Sequence, residues 1–255
     1  MTKNNFLKNK IKAESGDPSA QRELADYFFS KNQCKNGLKW ILKLSENKRA
    51  TFRERAWAFQ ALGWMYENGE GVHKNQKRAR LAYRVSNAYL LNLAKKGDVI
   101  AQRHLAENYA AGRGEKRNLK SSFIWSLKAA KLGDVESQYD VGLNYDQGFG
   151  VKKNEHLAFV WYLKAAKKGY PAAQCNIGYM FGNGQGTKQN GKKAIYWTCK
   201  AAAKKDDQAL YNLGLAYEEG NYVRKDYRKA QLLIQKSANS GHRKAQMWIK
   251  RQKIK

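Results

Sequence analysis

The chain has 255 residues, and its 49 lysines and arginines against 21 acidic residues give a formal net charge of +28. Its three cysteines, Cys34, Cys175 and Cys199, are scattered and form no CxxC pair, which disfavours a disulfide framework or a zinc site and favours a reducing compartment. No run of about 18 apolar residues is present, so no membrane span is expected. The first residues lack the apolar stretch of a signal peptide, and we expect a cytoplasmic, bacterial-type protein.

A repeat of 36 residues organises the chain. Its two markers are an aromatic residue and a turn residue, usually glycine, and both recur at that spacing. The aromatic falls at Tyr109, Tyr145, Phe181 and Tyr217, and the turn at Gly97, Gly133, Gly169, Lys205 and Gly241. A period of this length is typical of repeat architectures, in which each unit buries its apolar face only by stacking on its neighbours.

In chain order, the repeat predicts one domain over residues 1–255. A degenerate N-terminal unit covers 16–53 and follows a basic segment, Lys3–Lys12, which we expect to be frayed. A longer unit covers 54–98, and four regular units cover 99–134, 135–170, 171–206 and 207–241. Residues 242–255 form a basic capping helix with Ala245 and Trp248 on its apolar side. Terminal units are often irregular because they cap the stack.

The unit 54–98 contains an insertion. Tyr66 and Tyr109 lie 43 residues apart, seven more than the period, and seven residues add about two helical turns. The insertion lies within Ala82–Leu93, which keeps a helical pattern. We therefore predict one long second helix that protrudes from the array.

Each unit is predicted to be a helical hairpin, with a helix A followed by a helix B. In helix A, Ala101, Leu105 and Tyr109 recur at i, i+4 and i+8, which is one helical face. In helix B, alanines alternate with an aromatic pair such as Trp161-Tyr162, and this stripe indicates core packing. A Gly-x-Gly sequence joins the two helices. No strand precedes it and no Gly-Lys-Ser/Thr follows, so these glycines are predicted to end helix A with positive φ and not to bind phosphate.

The pattern is Ala-x-x-x-Leu-Gly-x-x-Tyr-x-x-Gly-x-Gly-Val, then Ala-x-x-Trp-Tyr-x-x-Ala-Ala-x-x-Gly. Gln138–Tyr170 carries it almost completely, and the coverage is roughly residues 54–241. This pattern resembles the Sel1-like repeat family, a relative of the tetratricopeptide repeat. The resemblance implies an all-α, right-handed solenoid of stacked αα-hairpins that binds other proteins and has no catalytic residues or cofactor. One branch of that family cross-links its helices through regular cysteine pairs, a feature that the scattered cysteines here do not share.

The charge is distributed unevenly over the repeat. The A helices of the units 135–170, 171–206 and 207–241 contain no lysine or arginine, whereas cations crowd the loops and B helices. If the A helices line the concave face, as in the tetratricopeptide stack, the groove is neutral to acidic and the opposite face is basic. The basic face is a candidate surface for nucleic acid, acidic protein or anionic lipid; the alternative is a solvated surface that promotes solubility. The candidate residues are Lys77, Arg80, Arg84, Lys152, Lys153, Lys192 and Lys193.

A second candidate surface lies on the A helices, on the side away from the packing stripe. It is predicted to bind a partner in the groove, because amide side chains pair with an extended backbone and exposed aromatic residues form binding hot spots. The alternative is that these polar residues bridge neighbouring helices inside the scaffold. The residues are Trp64, His104, Asn108, Asp140, Asn144, Asn176, Tyr179 and Asn212.

No motif in the sequence supports catalysis, since the four histidines form no metal-ligand spacing. The leading hypothesis is therefore a non-enzymatic scaffold or adaptor that binds a protein or extended peptide in its groove, with no metal and no cofactor. The alternatives are a binder of anionic surfaces, an immunity or antitoxin protein that neutralises an acidic partner, and an effector exported without a cleaved signal.

Overall fold

The computed structural model describes residues 3–252, and within that range it contains fourteen helices and no strand. Consecutive helices pair as hairpins, which confirms the predicted all-α repeat fold. The helices are α1 Lys3–Glu14, α2 Pro18–Ser30, α3 Cys34–Glu46, α4 Phe52–Asn68, α5 Gln76–Lys95, α6 Val99–Ala111, α7 Leu119–Lys131, α8 Val135–Gln147, α9 Glu155–Lys167, α10 Pro171–Asn183, α11 Gly191–Ala203, α12 Asp207–Glu219, α13 Tyr227–Asn239 and α14 Arg243–Gln252. None of these helices, over the residues described, is both long and apolar enough to cross a lipid bilayer.

The helix ends follow directly from the repeated sequence. In the repeat 135–170, Asp134 caps α8 by accepting a hydrogen bond from the amide of Ser137 at 2.8 Å. Gly148 ends α8 with φ of +75°, and Asn154 then caps α9. A carboxylate or amide side chain satisfies a free N–H at the start of a helix, and glycine adopts the left-handed conformation at its end without steric cost. The predicted role of the Gly-x-Gly sequence is confirmed.

The second glycine of three Gly-x-Gly sequences, Gly71, Gly114 and Gly186, also allows close contact with the preceding repeat. A Cβ placed on Gly186 would lie 2.2 Å from the carbonyl oxygen of Glu155, and one on Gly114 would lie 2.7 Å from the amide nitrogen of Arg84. Both contacts are far shorter than van der Waals distance. These glycines therefore let their loops pack onto the preceding B helix, at the first residue of α9 for Gly186 and further along α5 for Gly114.

The chain divides into two compact units, of which the first extends to Lys128. Its core joins α2, α3 and α4 through Leu24, Ile41 and Met65, all fully buried. The expectation of a frayed basic N-terminal segment is wrong, because Lys3–Glu14 forms α1. Phe6 anchors this helix, with its ring centroid 5.0 Å from that of Tyr27.

The insertion forms one continuous helix, as predicted, but the prediction that it protrudes is wrong. Helix α5 has 20 residues where other B helices such as α9 have 13, and its partner α4 is also extended, to 17 residues. The extra turns bury Ser86 and Leu90, and the ring of Tyr89 lies 5.4 Å from that of Phe52 at the start of α4. The sequence shows the lengthening of α5 but not the matching extension of α4, because residues 47–55 match no repeat position.

The second unit begins at Ala129 and contains the hairpins α8–α9, α10–α11 and α12–α13. Its core is built from small residues, such as Ala158 and Ala173, around the buried Tyr162 and Ile177. Helix α14 closes this unit: Ala245 is fully buried on α13, and the indole nitrogen of Trp248 donates to Glu218 at 3.1 Å. The last three residues of the predicted capping helix lie outside the described part.

Candidate protein-binding surface

A pocket of about 810 Å³ lies in the first unit, and we call it the first-unit pocket. The A helices α2, α4 and α6 supply most of its lining, the B helix α5 adds a smaller part, and the turns that follow α2, α4 and α6 contribute residues at one end. Within this unit, the A helices therefore line most of a hollow. The lining residues include Arg22, Cys34, Arg53, Trp57, Gln60, Trp64, Glu70, Tyr83, Leu90, Leu93, Asp98, Ile100, His104 and Arg113.

Apolar side chains form the middle of the first-unit pocket. Trp64, which the sequence singled out, keeps 43% of its surface exposed, and Ile100 on the neighbouring helix keeps 50%. Trp57 lies two turns before Trp64 on the same face of α4 and also lines the pocket. The sequence analysis missed Trp57, although its seven-residue separation from Trp64 places both on one helical face. Exposed tryptophan in a hollow is the residue type that most often anchors a protein partner.

One end of this pocket is rich in arginine. The guanidinium of Arg22 lies over the ring of Trp57, 5.0 Å from its centroid, and the guanidinium of Arg53 pairs with Asp98. The prediction of a neutral to acidic groove is therefore wrong for the first unit. The three A helices within residues 135–241 carry no lysine or arginine, whereas α2, α4 and α6 of the first unit each carry at least one arginine.

At the opposite end, acidic side chains are bound to neighbours. Tyr83 donates to Glu67 at 2.7 Å, and Arg113 lies 3.4 Å from the same carboxylate. The thiol of Cys34 donates to Glu70 at 3.6 Å. Burial, reinforced by the hydrogen bond to Glu67, raises the pKa of Tyr83 above its ordinary value, so this hydroxyl remains a donor at neutral pH.

Asn108 does not contribute to an exposed surface, which corrects the prediction for that residue. It is fully buried, and its amide donates to Gln60 at 3.0 Å and to Asn87 at 2.7 Å. The amide of Gln60 donates back to Asn108 at 3.0 Å. Asn108 thus links α4, α5 and α6, which is the alternative role, bridging of neighbouring helices, that the sequence also allowed. His104 remains partly exposed in the pocket, where its ring lies 3.2 Å from Glu107.

In the second unit, the predicted residues lie on the A helices with differing exposure. Tyr179 is the most open, at 57%, whereas Asp140, Asn144, Asn176 and Asn212 are half-buried. The amide of Asn212 lies 3.7 Å from the sulfur of Cys175 and accepts from Gln208 at 2.7 Å.

Asn176 lies beside the hydroxyls of Tyr139 and Tyr162, whose pKa values are raised chiefly by burial. The amides of Asn176 and Asn212 therefore have neighbours inside the scaffold, while Tyr179 points to solvent.

The seven cations of the second candidate surface are all exposed. Two of them have acidic neighbours: Arg84 lies 3.1 Å from Glu115, and Lys153 lies 3.3 Å from Glu155. No finding supports an anionic ligand for this surface, so its binding role stays a prediction. The seven residues are Lys77, Arg80, Arg84, Lys152, Lys153, Lys192 and Lys193.

Some of the remaining lysines have structural roles that the sequence analysis missed. The ammonium of Lys168 donates to the carbonyl of Gly133 at 2.8 Å, and Lys204 donates to Gly169 at 2.6 Å, one repeat on. A cation at this position complements the negative end of the preceding B helix. On the B helices, Lys164 lies 3.9 Å from the ring centroid of Trp161, and Lys128 lies 4.0 Å from that of Trp125.

The described residues contain no group of three or more histidine, cysteine or acidic side chains that could hold a metal ion. All three cysteines are free. Cys175 is buried, and burial together with Asp206 raises the pKa of its thiol to about 12. Cys199, in the helix that pairs with that of Cys175, is exposed.

The hairpin geometry and its glycine-ended A helices identify the repeat. The model of the Sel1 repeat matches residues 60–81, 99–134, 135–170, 171–206 and 207–242. The chain belongs to the Sel1 repeat family. Sel1 repeat proteins are generally non-enzymatic scaffolds for protein–protein interaction.

Among the solved structures that share this Sel1 repeat fold are two proteins with clear sequence similarity. One is c5321, described as a protective antigen present in uropathogenic Escherichia coli strains, with 31% identity and a TM-score of 0.72 over 94% of this chain and 50% of that one. The chain thus spans about half the length of c5321. The other is a Sel1 repeat protein from Oxalobacter formigenes, with 27% identity and a TM-score of 0.71 over 89% of each chain. No curated protein matches the sequence.

Proposed function

We propose that this Sel1 repeat protein is an adaptor that holds a segment of a partner protein against its A helices, with the first-unit pocket as the anchoring site. The observation that carries the proposal is the pocket itself, in which Trp64 and Ile100 stay about half exposed between two A helices. Exposed apolar side chains gain free energy when a partner removes them from water. A hollow that presents them beside the partly exposed ring of His104 offers both apolar contact and a hydrogen bond.

The second unit, taken by itself, presents another exposed aromatic residue on an A helix. Tyr179 on α10 is exposed at 57%, and an aromatic ring carrying a hydroxyl suits both apolar and polar partner groups. The half-buried amides of Asn176 and Asn212 are a lesser contribution, because both already have neighbours within the scaffold.

The experiment is a selection of displayed random 12-residue peptides on the full chain, followed by affinity measurements on Trp64→Ala. We expect the selected peptides to lose at least tenfold in affinity, since truncating a central aromatic residue costs about 2 kcal/mol or more. Leu81→Ala is the matched control, because Leu81 is 60% exposed on α5 but does not line the pocket. Peptides that bind Trp64→Ala as tightly as the native chain would overturn the proposal.

A further inference from the structure

We propose that the first-unit pocket selects a partner segment in which an aspartate or glutamate lies close in sequence to a large apolar residue. Arg22 binds the carboxylate, and Trp64 contacts the apolar side chain. This inference rests on the proposed function and names the chemistry of the segment that the pocket accepts.

The arginine end of the pocket carries exposed positive charge. Arg22 and Arg53 keep 40% and 62% of their side chains exposed there, whereas the side chain of Asp98 keeps only 12%. Both oxygens of Asp98 are already bonded, since one accepts from the amide of Ala101 at 2.9 Å and the other pairs with Arg53. The charge that a ligand meets at this end is therefore positive.

Arg22 is held in place but is only weakly paired with an acidic residue. Its guanidinium stacks on Trp57 at 5.0 Å, and its acidic neighbour on α2, Asp26, lies 3.9 Å away, at the outer limit of an ion pair. A guanidinium presents a planar set of N–H donors that matches a carboxylate in a two-point contact. Because the aromatic face already restricts Arg22, a ligand carboxylate loses less of its binding energy to ordering the side chain.

The direction of the segment follows from the charges at the opposite end of the pocket. Glu70 lines that end, and Arg113 there is already paired with Glu67 at 3.4 Å, so a ligand carboxylate placed there meets the like charge of Glu70. The carboxylate is therefore expected at Arg22, with the rest of the segment running towards Trp64.

The spacing within the segment follows from α4. Trp57 lies under Arg22, and Trp64 is two turns further along the helix, about 10 Å away. An extended peptide covers roughly 3.3 Å per residue. The apolar residue is thus expected roughly two to four positions from the acidic one.

The test uses the displayed 12-residue library on the full chain, with sequencing of the enriched peptides. We expect an aspartate or glutamate two to four positions from a Trp, Phe, Leu or Ile. For one such peptide, a double-mutant cycle combines Arg22→Gln in the protein with the acid-to-amide change in the peptide. Each single change is expected to lower the affinity about fivefold to tenfold, and the second change should then add little, because both remove the same contact.

Two further variants separate charge from folding. Lys39→Gln removes an exposed cation on α3, outside the pocket, and should leave affinity unchanged. Arg22→Lys keeps the charge without the planar donor set and should retain part of the affinity, with an unchanged melting temperature as the check on folding.

The outcomes distinguish the two proposals. Peptides that depend on Trp64 but show no coupling between Arg22 and an acidic residue overturn this inference and leave the proposed function standing. Peptides that bind independently of Trp64 overturn the proposed function. Peptides that need Trp64, and in which the effects on affinity of changing Arg22 and of changing the acidic residue are coupled, support both proposals.

Discussion

The ring of Tyr222 fills the space that a side chain on Gly191 would occupy. A Cβ built on Gly191 would lie 1.8 Å from Cδ1 of Tyr222, and the Tyr222 hydroxyl accepts from Gln189 at 2.8 Å. Tyr222 stands where the other units have the second glycine of the Gly-x-Gly sequence, and it keeps the left-handed backbone with φ of +61°. In the last regular repeat, the loop therefore packs on the preceding B helix through the ring of Tyr222. At Gly71, Gly114 and Gly186, the equivalent loop packs through close backbone contact.

This relationship predicts the effect of Gly191→Ala. We expect a loss of about 1–3 kcal/mol in the free energy of unfolding, because the added methyl group displaces the ring from a packed site. The double variant Gly191→Ala with Tyr222→Gly should recover most of that loss, since it removes both the ring and a left-handed conformation that is costly for tyrosine.

Thermal and urea unfolding, followed by circular dichroism, measure these changes. Gly182→Ala is the control: its Cβ would meet only the Cβ of Ala194, at 3.7 Å, and alanine favours the helix. A Gly191→Ala variant as stable as the native chain would contradict this account of Tyr222.

The buried amide of Asn108 predicts a contrast between two equivalent positions. Asn108→Ala should destabilise the protein by about 2–3 kcal/mol, because it leaves the amides of Gln60 and Asn87 without their buried partner. Asn144→Ala, one repeat on and half-buried, should cost about 0.5 kcal/mol or less. Equal losses in the free energy of unfolding at both positions, measured with urea, would show that the hydrogen bonds of Asn108 do not stabilise the protein beyond those of an ordinary half-buried asparagine.

Two aspartates at the same helix-capping position predict opposite pH dependence. Burial of Asp98 acts to raise its pKa, but the amide of Ala101 and the guanidinium of Arg53 outweigh it and hold that pKa below the ordinary value. Burial of Asp206, reinforced by Asp207, raises its pKa despite the hydrogen bond from the amide of Ala209. Ionised Asp98 thus stabilises the folded chain, whereas ionised Asp206 costs stability.

The variants Asp98→Asn and Asp206→Asn measure this difference, because asparagine caps a helix about as well as aspartate. Near pH 7, Asp98→Asn should lower the free energy of unfolding by up to about 1 kcal/mol, and Asp206→Asn should leave it equal or higher. The stabilisation by ionised Asp98 should disappear as the pH falls from about 4 through the lowered pKa that Asp98 has in the folded chain. The destabilisation by ionised Asp206 should disappear as the pH falls from the raised pKa that Asp206 has in the folded chain to about 4. Parallel pH profiles for the two variants would contradict the assignment.

The repeat could be predicted from the sequence because its signals are local. Glycines such as Gly148 and capping residues such as Asp134 act within one or two turns of their own helix. Because equivalent residues recur every 36 residues, each unit forms the same helix ends. The long helix α5 was predicted for the same reason, since a seven-residue insertion that keeps the helical pattern lengthens the helix.

The candidate site could be predicted only in part. Trp64 and Tyr179 were found because the repeat position puts them on the side of helix A away from its packing stripe. Asn108 occupies an equivalent position but is buried, because the lengthened α4 and α5 bring Gln60 and Asn87 to its amide. The arginines were missed because Arg22 belongs to the degenerate first unit, and its stacking on Trp57 joins residues 35 apart in the chain.

The sequence by itself determined the helical hairpins, their order and their ends, because these depend on spacing, capping residues and glycine conformation within a single unit. Only the tertiary structure decided which polar side chains face solvent, which cations have partners and where the first unit leaves a hollow. Those properties depend on contacts between residues from different helices, and the same residue type at the same repeat position meets different neighbours in each unit.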